Sequence, residues 1–287
     1  MDGKPARALF IVGAPRSGTT LVGSYLGSSR NVLDLAEYGG FYAANAVVPS
    51  VIGKYPGPYR DAYLEDVSNH ARDFAEDAAA EAGCAWYCDA TPWNLLCARK
   101  LAAQLPGALF VLTLRHYAGT VQSLRRSYAA GFLWAGASFE EGGRLWAAIY
   151  AHVAELPPER TVVFSYDGLG AQPEETLVKL EAGLAAHGFD GSGLNRDVLA
   201  VSHATSPRSR PTVGVLEAGA VRVRPIPTIE PEHWSGDIQA VVWPTVRDVH
   251  LDLQHRYPSD YVTPPSPGGL LRHDEIRGLI PFEPEGW

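Results

Sequence analysis

The segment FIVGAPRSGTT, from Phe10 to Thr20, is the most informative part of this 287-residue chain. Its apolar half belongs to the run Ala8 to Val12, which is typical of a strand buried on both faces. Gly13 and Gly18 mark a tight loop, and the pattern that follows predicts a helix over residues 17–26. A strand, a glycine loop and a helix start gather backbone N–H groups around one point. That arrangement binds the oxygens of a phosphate or a similar anion.

The side chains of this loop add donors and a positive charge. Gly13 and Gly18 have the spacing of a Walker A loop, but Thr19 stands where that loop carries its lysine. The hydroxyls of Thr19 and Thr20 can donate hydrogen bonds to an oxyanion, and Arg16 can place a forked cation on it. Because the lysine is missing, ordinary ATP or GTP γ-phosphate chemistry is not favoured. The loop predicts an anion site of a different kind.

Outside this loop, short apolar runs alternate with helical patterns. Further buried strands are predicted at 85–88, 108–114 and 161–164. Patterns with helical spacing lie between them, and Ser138 and Glu141 form a capping box at the start of one helix. Continuous apolar strands separated by helices indicate an α/β fold, with a P-loop-type parallel β-sheet flanked by helices on both faces.

The last part of the chain gives weaker signals. Residues 203–233 and 258–287 are rich in proline and have little periodicity, so they are expected to form an irregular C-terminal cap and tail. A helix over 236–256 is expected to be interrupted near Pro244. The simplest account is one domain over 1–287, with its core at about 7–202.

Composition and charge exclude several classes of protein. A hydrophobic share of 46% with 20% charged residues excludes wholesale disorder. The net charge of −8, without a long basic run, argues against a general binder of nucleic acid or anionic membranes. The longest aliphatic run is far shorter than the roughly 20 residues of a membrane span, and it leads into a glycine turn rather than a cleavage site. A cytoplasmic protein that does not span a membrane is therefore expected. The sequence shows no cluster of histidine and aspartate residues that would indicate a metal site.

With its buried strand, the segment PRSGTT closely resembles the 5′-phosphosulfate loop of sulfotransferases that use 3′-phosphoadenosine 5′-phosphosulfate (PAPS). The resemblance implies contacts of the loop residues Arg16, Ser17, Gly18, Thr19 and Thr20 with the nucleotide. It also implies two further segments, and both are present.

The first of these segments is VLTLRHYAGTVQS. It places Arg115 at the end of a strand and Ser123 eight residues later, which in the family bind the 3′-phosphate of the nucleotide. The proline that usually follows the arginine by two positions is Tyr117 here. A surface arginine and a serine that only solvates its helix are the alternatives.

The second segment is TVVFSYDGL followed by QPEETLVKL. Tyr166 corresponds to the family tyrosine that lies near the adenine, although Gly168 departs from the usual pattern, and a tyrosine that merely caps the core remains the alternative. Arg208 and Arg210, in the proline-rich cap, can close over the 3′-phosphate as a late basic loop does in relatives. Solvated loop arginines are an equal alternative.

Sulfuryl transfer needs a cation at the leaving bridging oxygen and a base for the acceptor proton. The resemblance assigns Arg16 to the bridging oxygen, with no metal required. Glu37, in DLAEYGGF, is the first candidate for the base, and Tyr38 and Phe41 are expected to desolvate it. Asp89, in CDATPWN, is the second candidate, although the lysine that follows it in the family is Ala90 here.

The acceptor is expected to be an alcohol of a small molecule, a lipid or a glycoside. The segments 37–60, 86–94 and 128–146 and the proline-rich cap are expected to form its site. They are rich in aromatic rings: Tyr38, Phe41, Tyr42, Tyr55, Tyr59, Trp86, Trp93, Phe132, Trp134 and Trp146. Such a pocket suits a hydrophobic or ring-containing alcohol better than an anionic polysaccharide, although some of these rings must belong to the core. Two other readings stay open. One is a P-loop kinase with an unusual loop, and the other is a scaffold that binds the product nucleotide PAP without catalysis.

Overall fold

The structure is a computed structural model that describes residues 5–53, 57, 59–201 and 236–261. Its strands form one parallel sheet in the order β2-β3-β1-β4-β5. Their bounds are β1 (Arg7–Val12), β2 (Val32–Asp34), β3 (Trp86–Asp89), β4 (Leu109–Leu114) and β5 (Thr161–Ser165).

The helices of the described residues lie between and after these strands. They are α1 (Thr19–Leu26), α2 (Gly40–Tyr42), α3 (Val48–Ile52), α4 (Arg60–Glu81), α5 (Ala98–Gln104), α6 (Tyr117–Ala129), α7 (Phe139–Tyr150), α8 (Tyr166–Ala171), α9 (Pro173–Ala185), α10 (Val198–Val201) and α11 (Gly236–Arg256). A π-helical turn at Ala43–Val47 joins α2 to α3. As the capping box predicts, the Ser138 hydroxyl accepts the amide of Glu141 at the start of α7.

The sheet separates two apolar layers because successive side chains of a strand point to opposite faces. In β1, Phe10 and Val12 face the layer formed by α4, α5, α6, α7 and α11, whereas Leu9 and Ile11 face α1 and α9. Phe10 stacks on Phe110 of β4 with ring centroids 5.6 Å apart. Burial on both faces explains the continuous apolar runs, and the predicted α/β fold is confirmed.

The position of β1 in this order creates the crevice that holds the candidate site. β1 and β4 are neighbours in the sheet, but the helices that follow them, α1 and α6, pack on opposite faces. The carboxyl ends of the two strands therefore open into a cleft, which is where parallel sheets of this kind bind ligands.

Two features of the fold differ from expectation. The strand β2 is only three residues long, and its pattern was too short to reveal it. The predicted interruption of α11 at Pro244 is wrong, since the helix continues through this residue. Proline removes one N–H donor, but Val242 and Val246 on either side are buried in the core, and their packing maintains the helix.

The helix α11 packs closely against α7. Gly143 of α7 allows this approach, because a Cβ atom at that position would lie 2.9 Å from Val242 and from Thr245 of α11. The expected cap at 203–233 and most of the tail at 258–287 lie outside the described residues. Within the part of the chain that the structure describes, no helix has the length and apolar character needed to cross a membrane.

Candidate active site

The loop between β1 and α1 has an unusual backbone. Arg16 has φ 72° and Gly18 has φ 98°, both in the left-handed region. Gly18 is also required sterically, because a Cβ atom there would lie 2.4 Å from the ring of Tyr166. A left-handed arginine is uncommon outside functional sites, since the conformation is disfavoured for residues with a side chain.

This backbone leaves donors free at the start of α1. In the described chain, the amides of Gly18, Thr19 and Thr20 donate to no protein acceptor. They are the first amides of a helix, where the dipole adds positive potential. These amides already point into the open end of the loop, and the anion site that the sequence predicts there stays a prediction.

The hydroxyls of the loop point in different directions. The side chain of Ser17 is fully buried, its hydroxyl lies 2.7 Å from that of Thr113, and its amide donates to Ala14. Thr19 is also buried, whereas the exposed Thr20 donates to Oε1 of Glu37 at 3.0 Å. Ser17 therefore packs beneath the loop, whereas the amides of Thr19 and Thr20 have no protein acceptor among the described residues.

Arg115 lies behind this loop and points towards it. Its Nη1 donates to the carbonyl of Arg16 at 2.7 Å, and its guanidinium lies 4.3 Å from the centre of the Tyr166 ring. The side chain of Arg115 is buried and its Nε has no hydrogen-bond partner. Among the described residues, no carboxylate forms an ion pair with Arg115 or Arg16, although the charges of Asp167 and Glu37 act on them from further away.

The backbone of Arg115 is held from the side of α7. Its amide donates to the Tyr150 hydroxyl at 3.3 Å, and its carbonyl accepts the indole N–H of Trp146 at 3.2 Å. These bonds fix the end of β4, so the direction of the arginine is set by two buried aromatic side chains.

The structure joins the two predicted anion-binding segments. The Nε of Arg16 donates to the Ser123 hydroxyl at 3.2 Å, and Ser123 is only 8% exposed. Arg126 was missed in the sequence analysis, although it follows Ser123 by three residues on the same face of α6. Its charge acts on both Arg16 and Tyr166, so three arginines surround the cleft.

The pKa shifts in the cleft reflect burial first and the neighbouring cations second. Desolvation, followed by the charge of Arg115, lowers the pKa of Arg16 from its ordinary value. Burial raises the pKa of Asp167 to about 6, although the charge of Arg115 and the amide of His116 act in the opposite direction. A bound anion would relieve the repulsion between the arginines.

Glu37 lies at the open side of the loop. It follows Ala36, which has φ 53° and whose carbonyl accepts the amide of Ala90 at 2.7 Å. The expected desolvation of Glu37 by Tyr38 and Phe41 is wrong. Glu37 is exposed, because the Tyr38 ring stacks on Phe74 and Phe41 is buried in the core. The bond from Thr20 holds Glu37 beside the loop instead.

Asp89 has a different environment. It is fully buried, its Oδ1 accepts the amide and hydroxyl of Thr91, and its Oδ2 accepts the amide group of Asn94 at 2.9 Å. Burial raises its pKa despite these bonds. Such a carboxylate organises the turn after β3, and its oxygens are already engaged, whereas the carboxylate of Glu37 is exposed.

Two departures from the family pattern have a structural reason. Ala90 is buried, and a Cβ atom at Gly23 of α1 would lie 2.8 Å from its methyl group, so this position offers no room for a lysine. Tyr117 is buried between α7 and α11, where its hydroxyl accepts Nε2 of Gln239 at 3.0 Å. In this chain it connects the start of α6 to α11.

The other charged and aromatic side chains of this region differ in their surroundings. His116 is buried, and desolvation followed by the charge of His250 lowers its pKa well below the ordinary value. Arg208 and Arg210 lie outside the described residues. The described residues contain no group of side chains arranged to hold a metal. Of the aromatic set, Phe41, Trp86 and Trp146 belong to the core.

Comparisons with known proteins identify the family of this chain. A model of the sulfotransferase family matches residues 8–187. No curated protein sequence matches the chain. The sulfotransferase domain from the curacin biosynthetic pathway superposes with a TM-score of 0.53 at 15% identity, covering 88% of this chain and 98% of that domain. The sulfotransferase domain from the Synechococcus PCC 7002 olefin synthase gives a TM-score of 0.46 at 13% identity, covering 86% and 96%.

The family model includes β1 with its loop, the Arg115 and Ser123 segment, and Tyr166. These are the residues that meet around the cleft. The chain belongs to the sulfotransferase family.

Proposed function

We propose that this chain transfers the sulfuryl group of PAPS to the hydroxyl of an alcohol acceptor. The observation that carries the proposal is the contact of Arg16 with Ser123, together with the bond from Arg115 to the Arg16 carbonyl. It brings the residues expected at the two ends of the nucleotide to one cleft. PAPS is a suitable donor for such a site because it carries anionic groups at both its 5′ and 3′ positions.

The residues divide into two groups at this cleft. The amides of Gly18, Thr19 and Thr20 would hold the 5′-phosphosulfate, and Arg115 and Ser123 would hold the 3′-phosphate. The unpaired Nε of Arg115 and the unengaged amides supply donors that a bound nucleotide would satisfy. The ring of Tyr166, which lies between Gly18 and Arg115, would pack against the nucleotide.

PAPS supplies an activated sulfuryl group whose leaving oxygen becomes a phosphate oxygen of PAP. In the proposed step, the carboxylate of Glu37 takes the proton of the acceptor hydroxyl as the new O–S bond forms. The bond between sulfur and the bridging oxygen breaks at the same time, and Arg16 stabilises the charge on that oxygen. Glu37 is suited to this role because Thr20 holds it beside the loop while it stays open to the acceptor.

The test is direct. Isothermal calorimetry should show binding of PAP and PAPS and much weaker binding of ATP, and incubation of PAPS with alcohols should release PAP.

In the variant Arg16→Ala, release should fall by about a hundredfold or more, the size typical of losing one group that stabilises a transition state. Arg30→Ala, a change of the same type away from the cleft, is the matched control. Full activity in Arg16→Ala would contradict the role of Arg16. Preference for ATP would indicate a kinase, and PAP binding without transfer would indicate a scaffold.

A further inference from the structure

Four aromatic side chains form a continuous row. The ring centroids of Tyr42 and Trp93 lie 6.2 Å apart, those of Trp93 and Trp134 lie 5.9 Å apart, and those of Trp134 and Phe132 lie 5.8 Å apart. We call these four rings the aromatic row. They come from α2, from the turn after β3 and from the loop between α6 and α7, so three separate segments converge to build it.

The far end of the row is exposed to solvent on the turn between α6 and α7. Gly131 and Gly136 bound this turn with φ 102° and 86°, and Ala135 between them is fully buried. Leu133 and Trp134 point outwards and remain 77% and 45% exposed. A turn that is anchored inside and apolar outside is typical of a surface that binds an apolar partner.

The near end of the row lies on the segment that carries the base of the proposed reaction. The amide of Gly39 donates to the Thr91 hydroxyl at 3.0 Å and ties the Glu37 segment to the turn after β3. Tyr42 follows Gly39 by three residues and Trp93 follows Thr91 by two. The row therefore starts five residues after Glu37 in the chain, on two segments that this bond ties together, and it leads to the loop between α6 and α7.

We propose that the aromatic row, with Leu133, binds the apolar chain of the acceptor, and that the acceptor is an alcohol with an extended hydrocarbon chain. This inference rests on the proposed function, because it places the hydroxyl of that alcohol at Glu37. A single phenol ring would cover only one step of the row, whereas an alkyl chain can contact successive rings along it. The four rings carry no formal charge, so they offer nothing to hold a sulfated polysaccharide.

Fluorescence quenching tests the contact without any turnover. Bromine quenches tryptophan on contact, so 10-bromodecan-1-ol should quench the protein at lower concentration than 2-bromoethanol. Trp134→Phe and Trp93→Phe should each remove part of this quenching. Trp86→Phe is the matched control, because Trp86 is buried on the opposite face of the sheet. Trp134→Ala should weaken binding of the long alcohol by about fivefold or more, since an aromatic contact surface is lost.

Activity supplies the second measurement. With PAPS saturating, kcat/KM should rise from butan-1-ol to decan-1-ol, and Trp134→Ala should flatten that rise while calorimetry shows unchanged binding of PAP. Equal quenching by the long and short bromoalcohols, or equal quenching in the tryptophan variants and the parent, overturns the inference. Quenching by brominated phosphatidylcholine vesicles but not by 10-bromodecan-1-ol also overturns it and assigns the row to a membrane surface. Failure to release PAP with every alcohol, with long-chain binding intact, contradicts the proposed function instead.

Discussion

Arg16 and Ser123 are 107 residues apart in the chain, yet the Nε of Arg16 donates to the Ser123 hydroxyl at 3.2 Å. The contact crosses the cleft between the ends of β1 and β4. It directs the Arg16 guanidinium along the cleft, and it holds the start of α1 and the middle of α6 in one arrangement. A direct hydrogen bond therefore joins the residues proposed to bind the two ends of the nucleotide.

Removing the Ser123 hydroxyl should weaken nucleotide binding, because the hydroxyl accepts from Arg16 and is proposed to contact the 3′-phosphate. In Ser123→Ala, we expect PAP to bind about tenfold more weakly, because a hydrogen bond to a charged group contributes roughly 1.5–3 kcal/mol. Calorimetry with PAP measures this effect. Ser127→Ala is the matched control one turn later on α6, where the hydroxyl donates only to the Ser123 carbonyl. An equal loss of affinity in both variants would show that the helix, rather than the phosphate contact, is responsible.

Gly18→Ala should weaken nucleotide binding through a collision with Tyr166. The added Cβ would lie 2.4 Å from that ring at φ 98°, so the loop or the ring must move. We expect affinity for PAP to fall by about tenfold or more, since backbone strain alone costs roughly 1–2 kcal/mol. Gly193→Ala controls for the backbone, because its φ is 82° and its nearest atom lies 4.0 Å away. If Gly193→Ala loses PAP binding equally, the steric account is wrong.

Much of this site follows from the sequence for a physical reason. Carboxyl ends of parallel strands meet at one edge of a sheet, so residues directly after β1, β4 and β5 converge there. Arg16, Arg115 and Tyr166 are such residues. Sequence spacing does not show side-chain direction, and this is why the inward-pointing hydroxyl of Ser17 and the exposure of Glu37 were not foreseen.

The features that escaped prediction depend on contacts between distant segments. Tyr117 looked like a simple departure from the family pattern, but its place is set by α11, which lies more than a hundred residues later. The strand β2 is too short for a periodic signal, and it is stabilised by pairing with β3. Helix α11 continues through Pro244 because core packing outweighs one missing hydrogen bond.

Substituting each candidate base in a separate variant distinguishes their roles. Glu37→Gln should lower kcat by about a hundredfold to ten-thousandfold, the usual contribution of a general base, while PAP affinity stays nearly unchanged. Asp89→Asn should instead lower the midpoint of thermal unfolding, because Asp89 accepts three hydrogen bonds from Thr91 and Asn94 inside the fold. Turnover with PAPS and thermal unfolding measure the two effects. Unchanged kcat in Glu37→Gln would return the role of base to Asp89.

Tyr117 should matter for stability more than for chemistry. Its ring packs on Trp146, Trp243 and His250, and its hydroxyl accepts from Gln239. Tyr117→Ala should lower the free energy of unfolding by about 3–5 kcal/mol, as large buried aromatic deletions do, and Tyr117→Phe by only about 1 kcal/mol. Denaturant unfolding measures both changes. A loss in Tyr117→Phe as large as in Tyr117→Ala would mean that the hydroxyl, and not the ring, anchors α11.

Asp167 should make nucleotide affinity depend on pH. Burial raises its pKa to about 6, so it is neutral below that pH and ionised above it. Its negative charge then offsets part of the charge of Arg115, and PAP should bind more weakly than in Asp167→Asn, by about fivefold, or roughly 1 kcal/mol, at pH 7.5. The asparagine oxygen can still accept the His116 amide that Asp167 accepts at 2.7 Å.

The ratio of the two Kd values removes the titration of PAP itself, because that titration affects both proteins equally. The ratio should approach one below pH 5.5 and increase as the pH rises through about 6, since only the parent protein gains a charge there. Calorimetry with PAP from pH 5 to pH 8 measures it, with thermal unfolding of both proteins at each pH to confirm that they stay folded. A constant ratio across this range would show that Asp167 does not act on the nucleotide through Arg115.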